Sequence, residues 1–176
     1  MIFSYLLMFV SLALITLNIF QGFFSFTVLQ EVPISDHTRI GILATIIYFF
    51  AQAFIIFLFI AMGKIIKTNP DVFVNFKDRV NDIVIFKSMM FRNATINMFL
   101  IAISFLLGGA VHNTTLEIPV AVHAIPFTMA WGQLFSVYYQ YHRYFVMNVL
   151  LISDAYSSEE SQCFFYQRCF SFLDYV

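Results

Sequence analysis

The chain alternates long apolar stretches with short polar ones, and four of the apolar stretches are long enough to cross a bilayer. A helix needs about 20 residues to cross the hydrocarbon core. The predicted spans are residues 3–29, 40–63, 93–111 and 119–142, the last with an extension to 152 that leaves the membrane. The spans are apolar on every face, which argues against a β-barrel. The pattern therefore predicts an all-α, polytopic membrane protein with four transmembrane helices.

Between the second and third spans, residues 70–91 have a different periodicity. Asp71, Asn75, Asp78 and Asp82 recur at helical spacing, with apolar residues largely on the opposite side. Asn69, followed by Pro70, has the composition of a helix N-terminus. The segment predicts an amphipathic helix. Either it lies in the membrane interface or extends helix three, or it offers a docking surface to a partner subunit.

Residues 153–176 form a second region, distinct from the transmembrane domain of residues 1–152. The region opens with a polar Ser/Glu stretch and ends in an aromatic run that contains Cys163 and Cys169. A C-x5-C spacing is not a usual zinc or redox pattern, so we expect two free thiols. Aromatic side chains do not remain in water. We expect this tail to rest on the membrane interface or to pack against another protein.

Composition agrees with a membrane protein and narrows the partners. Of 176 residues, 61% are hydrophobic and only 11% are charged, against about 25% charged in soluble domains. The formal net charge is −1, so the chain lacks the basic surface that binding to nucleic-acid phosphates requires. The expected partners are the lipid bilayer and either other membrane subunits or further copies of this chain.

The basic residues predict the orientation. Eight of the nine fall in the loop after helix two or beyond helix four: Lys64, Lys67, Lys77, Arg79, Lys87, Arg92, Arg143 and Arg168. Only Arg39 falls on the other side. By the positive-inside rule both termini and the middle loop are cytoplasmic. The loop between helices three and four is then external.

That external loop and its flanks carry the candidate chemistry. His112 ends helix three after two glycines, and His123 lies in the first turn of helix four, which Pro119 begins. Imidazoles on adjacent helices bind b-type haem or a transition metal. His37 and Glu117 would complete a metal site made of His37, His112, His123 and Glu117. The alternative is that these histidines are interfacial residues bonded to water and backbone, with no cofactor.

The spans hold few other polar groups. None has an Asp, Glu, Lys or Arg near its middle, which argues against a proton pump or a carrier of charged substrates. No catalytic motif is present, and we do not expect an enzyme. The uncharged polar residues are expected to form hydrogen bonds between helices: Asn18, Gln21, Gln52, Asn97 and Gln133.

Two motifs carry a resemblance. "AMGKIIK" (61–67) and "LLGGAVHNTTLEIPVAVH" (106–123) resemble a pattern in small uncharacterised bacterial four-helix inner-membrane proteins. In that pattern a Gly-Lys pair closes helix two, and a Gly-Gly-x-x-His precedes a second His at the start of the next helix. The likeness covers helices two to four and not the aromatic tail. It implies a bacterial inner membrane and a pairing of His112 with His123, and it implies no activity.

Two functions are compatible with these features. The favoured one is a non-catalytic accessory or assembly subunit of a larger membrane complex, because it needs nothing that the sequence lacks. The alternative is a haem- or metal-binding redox subunit that uses His112 and His123 and is linked to quinone. Visible absorption and metal content of the purified protein would separate the two.

Overall fold

The computed structural model describes residues 2–27, 34–69, 73–111 and 119–157. These residues form four long helices: α1 (Ile2–Thr27), α2 (Ile34–Thr68), α3 (Lys77–Val111) and α4 (Val120–Ser157). A short 3-10 turn, Val74–Phe76, precedes α3. All four helices are long and apolar enough to cross a membrane. The described part of the chain contains no strand, so the all-α prediction is confirmed.

The helices form an antiparallel bundle of two hairpins. α1 packs along α2 and α3 packs along α4, while the contacts of α1 with α4 and of α2 with α3 are less extensive. The start of α1 lies beside the second half of α4, because the Tyr5 hydroxyl is hydrogen-bonded to Nδ1 of His142 at 2.8 Å. α2 and α4 are therefore diagonal partners. The two seams between the hairpins are the looser parts of the bundle.

Three helices are longer than a bilayer requires. α2 and α3 have 35 residues each and α4 has 38, so each is more than about 50 Å long against a hydrocarbon core of about 30 Å. α3 begins with the charged residues at 77–92. Residues 77–91 of the predicted amphipathic segment are thus the first part of α3, continuous with the third span, and not a separate helix.

The predicted helix start at Asn69 stays a prediction, because Pro70 and Asp71 lie outside the described residues. The side-chain amide of Asn69 donates to the carbonyl of Ile65 at 2.9 Å, and Thr68 Oγ1 donates to the carbonyl of Lys64 at 3.0 Å. Both contacts bring side-chain donors to carbonyls in the last turn of α2. Asn69 therefore directly follows the end of α2 and bonds to its last turn.

Large aromatic rings fill the half of the bundle nearer to the start of α1, which we call the tyrosine half. Its buried rings belong to Tyr48, Phe59, Tyr141, Tyr144 and Phe145. The centroid of the Phe59 ring lies 5.3, 4.6 and 4.9 Å from those of Tyr141, Tyr144 and Phe145. These contacts join α2 to its diagonal partner α4, so they lie at the centre of the bundle.

Buried polar side chains connect the helices, as expected of uncharged polar groups in membrane spans. Tyr48 donates to Oδ1 of Asn97 at 2.6 Å, and Asn97 donates to the carbonyl of Ala130 at 2.7 Å. Tyr141 donates to Gln52, which links α4 to α2. The predicted interhelical role of Gln52 and Asn97 is confirmed.

The start of α4 also agrees with the sequence. The backbone N–H of Val122 donates to the carbonyl of Pro119 at 3.0 Å, so the first turn of the helix follows this proline directly. The helix continues to Ser157, five residues beyond the predicted end. The rest of the predicted aromatic tail, residues 158–176 with both cysteines, lies outside the described residues.

Candidate functional site

Two histidines from diagonal helices meet at one end of the bundle. His37 lies in the first turn of α2 and His123 in the first turn of α4. Their ring centroids are 6.4 Å apart, and the ring planes are 77° from parallel. Because α2 and α4 are diagonal partners, the two rings approach each other in the interior of the bundle. We call this part of the bundle the histidine half.

The ring of His123 is held in one orientation. Its Nδ1 lies 2.8 Å from the backbone carbonyl of Ser104 on α3. A carbonyl only accepts hydrogen bonds, so Nδ1 must carry the proton. Phe127, one turn along α4, stacks on the imidazole with an interplanar angle of 15° and a centroid distance of 6.0 Å. The contact with Ser104 leaves Nε2 as the ring nitrogen available to a ligand.

Glycines on three helices make room for the polar side chains. A Cβ at Gly108 would lie 2.9 Å from Cε1 of His123, and a Cβ at Gly22 would lie 3.1 Å from Cε1 of His37. A Cβ at Gly41 would lie 3.2 Å from Nδ2 of Asn18. In each case a methyl group would press against an imidazole or an amide. The absence of three side chains therefore permits both imidazoles and one amide to lie inside the bundle.

Asn18, on α1, supplies the third polar group. Its side chain is buried, with 6% of its surface exposed. Its Oδ1 accepts no hydrogen bond within the part of the chain that the structure describes. A buried amide oxygen without a partner costs free energy of about 1–3 kcal/mol. An amide at this position offers a donor and an acceptor to a bound molecule.

These groups line a cavity of about 370 Å³. All four helices contribute to it, with Asn18, His37, Thr38, Gly41, Ile42, Thr45, Ile101, Phe105, Leu106, Gly108, Gly109, His123 and Phe127 in its wall. Ile42, Phe105 and Leu106 are also 41%, 44% and 70% exposed on the outer surface of the bundle. These three residues place part of the cavity wall at the surface of the loose seam between α2 and α3.

The structure brings together two of the four predicted site residues. His37 and His123 share the cavity wall, while His112 and Glu117 lie outside the described residues. The predicted pairing of His112 with His123 stays a prediction. Among the described residues no group of three or more His, Cys, Asp or Glu side chains is arranged to hold a metal ion.

The fourth histidine is separate from this site. His142 is exposed and lies at the opposite end of the bundle, where its Nδ1 is hydrogen-bonded to the hydroxyl of Tyr5. The two rings are tilted by 57°, with centroids 5.9 Å apart. This contact joins α1 to α4. His142 is therefore a natural control for experiments on the histidine pair.

Some residues of the site were not predicted to belong to it. The sequence indicated Asn18 only as an interhelical polar group, and it gave no role to Gly22, Gly41 or the carbonyl of Ser104. Gly22 lies four residues after Asn18, and Gly41 lies four residues after His37. Residues four apart share one helix face, so each polar residue has a glycine on its own face. That spacing was the available signal.

Comparisons of the chain with protein-family models, with curated proteins and with solved structures find no match.

Proposed function

We propose that this protein is a small, non-catalytic subunit of a larger membrane complex that binds a neutral, lipid-soluble ligand between His37 and His123. The observation that carries the proposal is a cavity with two imidazoles at one end of an otherwise apolar bundle. Its volume of about 370 Å³ falls in the lower part of the range of small-molecule sites, about 300–1,000 Å³. Such sites combine apolar walls with a few convergent polar groups.

The spacing of the imidazoles suits a single ligand oxygen. An oxygen hydrogen-bonded to an imidazole nitrogen lies about 2.8 Å from it and about 4 Å from the ring centre, so it can reach two rings whose centres are up to about 8 Å apart. The observed separation is 6.4 Å. The two rings are therefore close enough to contact one carbonyl or hydroxyl oxygen. This arrangement favours a molecule with an oxygen-bearing head.

The lining favours a neutral ligand. None of the described residues that form the wall is an Asp, Glu, Lys or Arg. A charged molecule would find no opposite charge there, and its desolvation in an apolar site would be costly. The proposed route of entry is the seam between α2 and α3, so a ligand that partitions into the bilayer would reach the cavity without crossing water.

A panel of amphiphiles tests the proposal. A ligand that binds only the folded state at 100 times its Kd raises stability by about 2.7 kcal/mol. We expect at least one of decanol, a decyl-substituted phenol and a decyl-substituted quinone to raise the Tm of the detergent-solubilised protein. The increase should disappear in His37→Ala and His123→Ala and persist in His142→Ala. No increase with any probe, or an equal increase in all variants, would refute the proposal.

The orientation and the complex are further parts of the proposal. The Lys/Arg asymmetry supports cytoplasmic termini in a bacterial inner membrane, and the charged start of α3 then projects into the cytoplasm as an amphipathic contact surface. In a protein without its native cysteines, Asn75→Cys should resist a membrane-impermeant reagent in intact cells and Val120→Cys should react. The reverse pattern would invert the topology. Native gels should show the protein in an assembly with other subunits.

Haem is a second candidate that a specific distance favours. A metal ion bound by both imidazoles lies about 2.0–2.1 Å from each nitrogen, which limits the separation of the ring centres to about 6.4 Å. The observed 6.4 Å lies at that limit, so His37 and His123 would be the residues that hold a haem iron, which would supply one-electron redox chemistry. A Soret band in the purified protein, lost in His123→Ala, would establish this function in place of the first.

A further inference from the structure

We infer that the ligand is a 1,4-quinone or the corresponding quinol, bound with one oxygen at the imidazole pair and the other at Asn18. The inference rests on the proposed function, since it names the chemical class of molecule that the histidine cavity binds. Three features carry it: the depth of Asn18 relative to the imidazoles, the donors and acceptors at each end, and the shape of the cavity.

The first feature is the depth of the two polar positions. Gly41 packs beside the amide of Asn18, and His37 lies four residues before Gly41 on the same helix. Four helical residues rise about 6 Å, so Asn18 lies about that far below the imidazoles; the two oxygens of a 1,4-quinone are separated by a similar distance, about 5 Å. A single ring can thus contact both polar positions.

The second feature is the choice of donors and acceptors. Because Nδ1 of His123 donates to the Ser104 carbonyl, its Nε2 accepts a hydrogen bond. Asn18 carries both an N–H donor and the buried oxygen that lacks a partner among the described residues. A quinone only accepts hydrogen bonds at its oxygens, whereas a quinol also donates them. A quinol can donate to Nε2 of His123 and to Oδ1 of Asn18, a quinone can accept from the N–H of Asn18, and a simple alcohol would leave the Asn18 end unsatisfied.

The third feature is the shape of the space between these ends. Phe127 and His123 stack with nearly parallel rings and form a flat wall. On α3 a Cβ at Gly109 would meet no atom within 4 Å, so open space remains beside the helix backbone. The aliphatic chain of a lipid quinone would leave through the seam beside Ile42 and Leu106, which are exposed on the outer surface of the bundle.

The single tryptophan provides the measurement. Trp131 is the only tryptophan of the chain and lies eight residues after His123, about 12 Å along α4. It lines an apolar groove with Phe9 and Phe135, away from the histidine cavity. Quinones quench tryptophan fluorescence. Titration with a decyl-substituted 1,4-benzoquinone should therefore give a saturable decrease in the fluorescence of Trp131, separable from the linear quenching by quinone dissolved in the micelle.

Substitutions at the imidazole end and at the Asn18 end of the cavity test whether the ligand belongs to the quinone class. We expect Asn18→Ala to weaken quinone binding about three- to tenfold, and His123→Ala to weaken binding of the corresponding quinol, measured by competition, about tenfold, since each loses a hydrogen bond worth about 0.5–1.5 kcal/mol. Competition against the bound quinone measures decanol, whose affinity should fall in His123→Ala and stay within about twofold in Asn18→Ala. His142→Ala should bind both probes like the unaltered protein.

The possible failures are distinct. If decanol stabilises the protein through the imidazoles while the quinone causes no saturable quenching, the cavity binds lipid-soluble molecules and the quinone inference is wrong. If the quinone binds but Asn18→Ala has no effect on its affinity, the two-ended binding is wrong. If neither probe depends on His37 or His123, the proposed function fails together with this inference. Circular dichroism and gel filtration of each variant exclude loss of folding as the cause.

Discussion

The histidine half and the tyrosine half of the bundle use similar residues for different purposes. In the tyrosine half, Phe59 and its neighbours fill the space between α2 and α4. In the histidine half, the same two diagonal helices carry His37 and His123, and a cavity of about 370 Å³ lies beside these rings. α2 and α4 are thus packed tightly through aromatic rings in the tyrosine half. In the histidine half a cavity lies beside the two imidazoles that these helices carry.

The two halves differ in the interactions that stabilise them. Apolar surface gives no driving force for helix association in lipid, so close packing and interhelical hydrogen bonds must stabilise the bundle. The tyrosine half has both. The histidine half places three glycines where packing side chains would otherwise stand. We therefore expect the tyrosine half to carry most of the stability, while the histidine half leaves a cavity beside its imidazoles.

The largest expected effect concerns the ring at the centre of the tyrosine half. Phe59 is fully buried, and Phe59→Ala removes its contacts with three rings of α4. We expect the free energy of unfolding to fall by about 3 kcal/mol, within the range for Phe→Ala in packed cores. Phe57→Ala is the control, because Phe57 is 51% exposed to lipid. Reversible unfolding in mixed micelles measures both, and equal losses would contradict the division into halves.

A pair of adjacent glycines tests the histidine half. Alanine at either position gains up to about 1 kcal/mol of helix propensity. At Gly108 the new methyl would lie 2.9 Å from His123, so Gly108→Ala should lose about 1–2 kcal/mol net because overpacking exceeds the gain. Gly109→Ala meets no atom within 4 Å and should be neutral or more stable. Thermal unfolding of the two variants, which differ by one position, measures the contrast. Equal Tm values would mean that Gly108 does not make room for the imidazole.

The helical architecture was predictable because it depends on a property that the sequence displays directly. Long apolar stretches leave the backbone no alternative to helix in lipid, and all four helices were found in their predicted order. The helix termini were less predictable from the sequence. Asn69 carries the signature of a helix start, yet its amide bonds the carbonyl of Ile65 at the end of α2. Asparagine can satisfy either kind of helix terminus, and only the neighbouring backbone decides which.

The candidate site was predictable in its residue types and less so in its pairing. The sequence placed His37, His112 and His123 at one membrane face, and two of these meet in the described structure. The pairing of His37 with His123 requires that α2 and α4 be diagonal partners, which periodicity does not reveal. The role of Asn18 depends on the same arrangement, because Gly41 on α2 makes room for its amide.

A smaller effect is expected from one interhelical hydrogen bond near the middle of the bundle. Tyr48→Phe removes the bond to Asn97 and keeps the ring. We expect a loss of about 1 kcal/mol, near the upper part of the range for hydrogen bonds between membrane helices. Tyr139→Phe is the control, because Tyr139 is 64% exposed. Unfolding in the same micelles measures both, and an equal change in the two would show that the buried bond adds no stability.

The smallest effect is expected from an exposed ion pair between the start of α3 and the end of α4. Nη1 of Arg79 lies 2.6 Å from Oδ2 of Asp154, which joins the start of α3 to the end of α4, and the two side chains are 59% and 48% exposed. Exposed ion pairs contribute about 0–1 kcal/mol because water and salt screen them. In a double-mutant cycle of Arg79→Gln and Asp154→Asn we expect a coupling energy below about 0.5 kcal/mol, falling further in about 0.5 M salt. A coupling above 1 kcal/mol that resists salt would mean that this ion pair is more shielded from water than its exposure in the structure indicates.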